Sequence, residues 1–211
     1  NAGAACVFER DVGGTNAWGQ VAKLSAADKA EYDGFGISVS VVGDVVLVGA
    51  YQADPGGVTN AGAAYVFERN AGGTNAWGQV AKLTAFDKGT GDGFGYSVSV
   101  DGGVALIGAI DAAPSGMSSV GAAYIIPFNR EDWREKSMLT ASDRTNYDIF
   151  GCSVSVAGDV ALVGACWAGP DGVTHAGAAY VYERNAGGTN AWGEVTELTP
   201  AGKAEGARCG A

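Results

Sequence analysis

No apolar run in the sequence approaches the ~20 residues that a membrane-spanning helix needs, so no helical span is read in it. Basic residues are scarce. Thirteen Lys and Arg stand against 23 Asp and Glu, for a net charge of −10 and no basic stripe. Binding nucleic acid calls for such a stripe, so that class is set aside. Acidity of this order fits solubility in a salty or extracellular medium, or attraction for cations. Histidine occurs once, at His175, too few for a histidine metal cluster. The glycine-rich strings Gly72-Gly73-Thr74-Asn75 and Gly89-Thr90-Gly91-Asp92-Gly93 lack the lysine and following helix of a phosphate loop. No serine or cysteine nucleophile has a partner in pattern, so no catalytic residue is assigned and a non-enzymatic role is expected.

There is little proline, but 35 of the 211 residues are glycine and 47% are hydrophobic. That is too apolar for disorder and too interrupted for long helices. The chain opens with Asn1-Ala2-Gly3, the counterpart of the internal Asn60-Ala61-Gly62. With neither an initiating methionine nor a signal segment, it reads as a processed, truncated or partly observed product.

Self-similarity dominates everything else. Gly-Ala-Ala recurs at Gly3, Gly62, Gly121 and Gly177, with spacings of 59, 59 and 56. Asp-x-Phe-Gly recurs at Asp33, Asp92 and Asp148, and Trp18, Trp77, Trp133 and Trp192 keep the same rhythm. The third copy shortens one turn to Asn129-Arg130-Glu131-Asp132, a change that a loop between strands tolerates.

Each unit of roughly 59 residues contains four strand-like runs. In the first unit these are Phe35 to Val41, Val45 to Ala50, Ala63 to Glu68 and Gln79 to Leu83. The second run is almost continuously apolar, as expected of a strand covered on both faces. Gly43-Asp44, Gly102-Gly103 and Gly158-Asp159 read as two-residue hairpin turns. The count is two strands at the N-terminus and then three complete units, making three and a half sheets. The chain is thus expected to be one all-β repeat domain: a half-blade over 1–32, blades over 33–91 and 92–147, and a blade plus tail over 148–211. Such sheets leave both faces apolar and must stack on neighbours, radially as a propeller or linearly as a solenoid or filament.

The strings Asp92-Gly93-Phe94-Gly95-Tyr96-Ser97-Val98-Ser99-Val100, Ala105-Leu106-Ile107-Gly108-Ala109 and Gly121-Ala122-Ala123-Tyr124 resemble the bacterial FG-GAP repeat. Asp33 to Ala50 and Asp148 to Ala165 repeat the pattern in phase. That family is similar to the N-terminal β-propeller of integrin α subunits. The resemblance implies four-stranded antiparallel blades, extracellular exposure, and adhesion or ligand binding. It also brings a calcium loop between the first two strands, for which the connections here are too short. Family propellers usually close with seven blades, and this chain supplies half of that.

Paired acids precede each Phe-Gly: Asp28 with Asp33, Asp87 with Asp92, and Asp143 with Asp148. They could give carboxylate oxygens to calcium, or cap turns by accepting backbone N–H bonds. Asp54, Asp111 and Asp171 in the longer second-to-third loops carry the same two readings. Loops remain the place to expect a ligand. The repeated tryptophans read as blade-edge covers, whereas Trp167, outside the repeat, is the candidate for a specific contact.

All four cysteines depart from the repeat. Cys152 and Cys166 lie at the ends of adjacent strands, and a bulge is required to bring them onto one side for a disulfide. Cys6, in the place of a repeated tyrosine, and Cys209 in the tail could bond within one chain or between successive chains. Inert buried thiols are the alternative. Overall the sequence points to an extracellular repeat protein that self-associates, as a ring or a filament, through its incomplete blade. The rival readings are an adhesin or lectin-like module, calcium-assisted, or a piece of a seven-bladed protein.

Overall fold

A computed structural model of the chain describes residues 2–101, 103–127 and 137–211. The shortened turn of the third copy and Trp133 lie outside the described residues. Among the described residues there are fourteen strands, in one two-stranded and three four-stranded antiparallel sheets. The half-blade pairs β1 (Ala5–Arg10) with β2 (Trp18–Leu24). Blade 1 holds β3 (Val39–Val42), β4 (Val45–Ala50), β5 (Ala63–Arg69) and β6 (Trp77–Leu83). Blade 2 holds β7 (Phe94–Asp101), β8 (Val104–Ala109), β9 (Ala122–Pro127) and β10 (Ser137–Leu139). Blade 3 holds β11 (Phe150–Ala157), β12 (Val160–Ala165), β13 (Ala178–Arg184) and β14 (Trp192–Leu198). Each sheet runs in sequence order, as the repeat arithmetic anticipates. No helix among the described residues is long and apolar enough to cross a membrane.

The local chemistry explains the hairpins. Val42 pairs with Val45, and Ala157 with Val160, so each turn has two residues. Gly43 and Gly158 lead those turns at φ +54° and +57°, a region that glycine enters without steric cost. The first strand of blade 1 is shorter than expected. Before Val39 the ladder breaks into a bulge, bridged by Gly36 N–H to Gly49 O and Gly49 N–H to Ser38 O.

Blades stack face to face, and the core lies between them rather than inside any one sheet. Val45, Leu47, Ala64, Val66 and Leu83 of blade 1 meet Phe94, Val98, Ile107, Tyr124 and Ile126 of blade 2. Val104, Leu106, Ile125 and Leu139 of blade 2 meet Phe150, Val156, Val163, Tyr180 and Tyr182 of blade 3 in the same way. The half-blade offers Ala5, Val7, Ala22 and Leu24 to Phe35, Val46, Tyr65 and Phe67. An isolated sheet with two apolar faces gains its stability only from these contacts.

Candidate functional site

The most repeated piece of local geometry is a seat between blades. The Phe-Gly that opens one blade lands on the Gly-Ala-Ala of the preceding one, as parallel bridges Gly3 to Phe35, Gly62 to Phe94 and Gly121 to Phe150. The phenylalanine ring then packs on a tyrosine of its own blade, with centroids 5.6 Å apart for Phe35 and Tyr65 and 5.3 Å for Phe94 and Tyr124. The glycine carbonyl points back and accepts a serine hydroxyl, Ser38 to Gly95 at 2.8 Å and Ser97 to Gly151 at 2.7 Å. The same carbonyl crowds the glycine near the end of the second strand. A Cβ on Gly49 would stand 1.9 Å from Gly95 O, and one on Gly108 would stand 2.1 Å from Gly151 O. The blades come this close because those two positions have no side chain.

The paired acids divide their work. Asp28, Asp87 and Asp143 accept the hydroxyls of Tyr65, Tyr124 and Tyr180, so each ties the end of one blade to the third strand of the next. Asp33, Asp92 and Asp148 are buried and turn inward on their own loops, accepting the N–H of Ala30, Gly89 and Thr145. Burial pushes the Asp92 carboxyl upward, and Asp87 and Asp111 add to that against the Gly89 N–H. For Asp28, burial alone would raise the carboxyl, but hydrogen bonds from Lys82 and Tyr65 override it and hold the group below its ordinary value. Asp54 accepts Asn60 N–H at 2.7 Å, Asp111 is exposed, and Asp171 pairs with Lys203. Among the described residues, no three acidic, histidine or cysteine side chains converge on one point.

The FG-GAP repeat pattern matches residues 18–67, 77–126 and 133–182, more than half of the chain. The chain belongs to the FG-GAP repeat family. The first two matched FG-GAP segments begin on the strand that closes one sheet, all three end on the third strand of the next blade, and each includes a blade junction with its seat. No curated protein matches the chain.

The tail holds a fourth FG-GAP seat that the sequence reading missed. Cys209 bridges Gly177 as the phenylalanines bridge their glycines, and Gly210 O accepts Ser153 Oγ at 2.7 Å. A Cβ on Gly164 would fall 1.9 Å from that carbonyl. The signal was present in Lys203-Ala204-Glu205, six residues before Cys209, which repeats Lys29-Ala30-Glu31 six residues before Phe35. Degeneracy hid it: Gly202 and Ala207 replace the two acids, and Cys209 replaces the phenylalanine.

The cysteines are free thiols. The register shifts between Phe150 and Ser153, which supplies the bulge that a Cys152–Cys166 approach requires. Cys166 N–H points at Cys152 Sγ at 3.2 Å, and Cys152 Sγ donates to Gly210 O at 3.2 Å. The hydrogen bond from the Cys152 thiol lowers the Cys166 thiol to about 7, with help from Arg208. The Cys152 thiol is pushed up by the same bond and by burial. Cys6 lies on β1 of the half-blade and Cys209 against blade 3, so the chain does not bring those two together.

Two of the repeated tryptophans lie beneath an arginine, Arg69 over Trp77 at 5.1 Å and Arg184 over Trp192 at 5.4 Å, whereas Trp18 is exposed. Trp167 differs. It stacks near His175 at 5.0 Å, lies under Arg208 at 5.7 Å, and lines a loop groove with Thr145, Tyr147 and Asp148.

The two end faces of the array stand open. Val39 is 59% exposed where its counterpart Val98 is 8%, and Phe8 is 51% exposed where Phe67 is 3%. At the other end Leu162 is 38% exposed where Leu106 is fully buried. The expectation that every second strand is covered on both faces therefore fails for β12, because no further blade lies over it. A groove lined by Cys6, Phe8, Val39, Val41 and Val46 follows the half-blade face.

Proposed function

We propose that this chain is a non-enzymatic, extracellular FG-GAP module that associates with itself, blade 3 of one copy meeting the half-blade of another. One observation carries the reading: side chains buried between inner blades are exposed at equivalent positions on the two ends. The ends are also complementary, since Val160, Leu162 and Leu198 occupy the positions that face a following blade, and Phe8 and Val39 those that face a preceding one. Burying such a patch of large apolar side chains contributes roughly 25 cal/mol per Å² before the costs of association. Extracellular placement is supported by the family, whose members are typically extracellular or surface-exposed.

Sizing with light scattering tests this directly. The chain is expected to run as a dimer or larger species, and Leu162→Glu, on an exposed position, is expected to return it to a monomer. A wild-type chain that stays monomeric at high concentration defeats the reading and leaves the end faces to further blades of a longer polypeptide. Cys209 of one copy and Cys6 of the next would border the same junction. In the inner blades the equivalent residues lie two strands apart, roughly 10 Å by strand spacing. A disulfide between copies therefore requires the two strands to close that gap.

A second reading, as an adhesin or lectin-like binding module, is favoured by the Trp167, His175 and Arg208 cluster over its groove. An aromatic face beside a cation suits a sugar ring bearing an acid group. Glycan screening with and without a calcium chelator tests it and the calcium reading of the acid pairs together. Binding lost in Trp167→Ala supports the site, and an absence of binding in both conditions removes it.

A further inference from the structure

We infer that Cys152 and Cys166 form a reversible dithiol–disulfide site, and that its oxidation loosens the tail over residues 199–211 from its seat on blade 3. The inference deepens the self-association reading, because that seat lies at the face assigned to a second copy.

The two cysteines stand where blades 1 and 2 carry Ile37 with Tyr51 and Tyr96 with Ile110, so the repeat itself does not call for a sulfur at either place. The bulge at Gly151-Cys152 turns the first cysteine toward the second, and Cys166 N–H reaches Cys152 Sγ at 3.2 Å. Two thiols held this way differ in character. Cys166 is held toward the thiolate first by the hydrogen bond from Cys152, then by its own N–H and Arg208, while Cys152 keeps its proton, shared between Cys166 Sγ and Gly210 O. Thiolate character is what makes a cysteine attack a disulfide, so Cys166 is the attacking sulfur and Cys152 the resolving one.

The oxidant is a small-molecule disulfide such as oxidised glutathione. Cys166 thiolate attacks one of its sulfurs, forming a mixed disulfide and releasing one glutathione thiolate, which takes up a proton. Cys152 then loses its proton to solvent and attacks Cys166 Sγ, releasing the second glutathione. From the Cys166 thiolate and the Cys152 thiol, the pair loses two electrons and one proton, and the glutathione disulfide becomes two thiols by taking up that proton and one from solvent.

The coupling to the tail follows from the contacts. Gly210 O accepts two donors, Ser153 Oγ and Cys152 Sγ, and oxidation removes the second. It also removes the Cys166 thiolate that attracts Arg208. The tail keeps its backbone bonds, Arg208 N–H to His175 O and Cys209 N–H to Ala176 O, so it loosens rather than detaches. Losing one modest hydrogen bond should raise the open population of the tail about 2- to 10-fold.

The test uses the full chain carrying Leu162→Glu, so its outcome does not depend on self-association. After equilibration in reduced and oxidised glutathione, non-reducing peptide mapping is expected to join 152 to 166. Hydrogen exchange at the Arg208 and Cys209 amides is expected to quicken about 2- to 10-fold. In Cys152→Ser the hydroxyl keeps a donor for Gly210 O even when Cys166 carries a glutathione, so exchange at these amides is expected to respond less to oxidised glutathione than in the parent. If both cysteines still alkylate in oxidised glutathione, the site is refuted. If the bond forms and tail exchange does not change, or changes equally in Cys152→Ser, the latch is refuted.

Discussion

Replacing Gly108 by alanine puts a methyl group where the next blade already has a carbonyl. Its Cβ would lie 2.1 Å from Gly151 O and 2.4 Å from Ser97 Oγ. Neither neighbour can simply swing aside, since one is backbone and the other holds that carbonyl by a 2.7 Å hydrogen bond. Ordinary contact distances require blades 2 and 3 to part by roughly 1 Å, and a gap of that size forfeits a quarter to a half of the dispersion energy along the seam. Overpacking of this kind costs about 1–3 kcal/mol, and the lost serine bond adds about 1 kcal/mol. For a chain of this length, about 2–4 kcal/mol corresponds to a fall in Tm of about 5–15 °C. Thermal unfolding followed by circular dichroism measures it. Gly164→Ala makes the same clash with Gly210 O, but there only the tail sits on the other side. It should leave Tm within about 2 °C and speed hydrogen exchange over residues 206–211. A Gly108→Ala protein as stable as the parent would refute the idea that blade spacing is set by these glycines.

Other expectations follow from the same contacts. Tyr124→Phe removes the hydroxyl that Asp87 accepts and should cost about 1–3 kcal/mol in urea unfolding, more than Tyr147→Phe on the exposed loop. Glu197 occupies the place of Lys82, and burial with the charge of Asp143 raises its carboxyl. A raised acid binds its proton more tightly when folded, so stability should fall as pH rises from the ordinary glutamate value through the raised one. Glu197→Lys should abolish that slope and gain about 0.3–1 kcal/mol at neutral pH, read by denaturation across pH. The Cys166 thiol, lowered to about 7 in the folded chain, should alkylate with iodoacetamide half-maximally near that pH, well below an ordinary thiol. For the reduced protein this lowered thiol stabilises the fold above the unfolded thiol value and loses that contribution as pH falls through about 7. Denaturant unfolding of the parent and Cys166→Ser at pH 6 and pH 9 reads the difference.

Much of the architecture was legible from residue order alone. Strand period, hairpin glycines and the 59-residue rhythm are local facts, because alternation and turn conformation depend on neighbours in the chain. They placed β4 to the residue, and they yielded the unfinished first sheet. The bulge beside Cys152 was also inferable, since strict pairing could not bring that residue to the side of Cys166.

What the paired acids do was not legible. A carboxylate reads the same in sequence whatever comes within hydrogen-bonding distance of it. For Asp28, Asp87 and Asp143 that is a tyrosine hydroxyl 37 residues further on. The role of the tail was hidden for a related reason. A seat that recognises backbone carbonyls and the absence of a Cβ accepts Cys209-Gly210 as readily as Phe-Gly, so the motif can erode while its geometry persists. Repetition in the sequence therefore determined the number and order of strands, because these depend on local pattern. Only the stacking of blades decided which equivalent side chains are buried and which are open, because burial belongs to the neighbour and not to the residue.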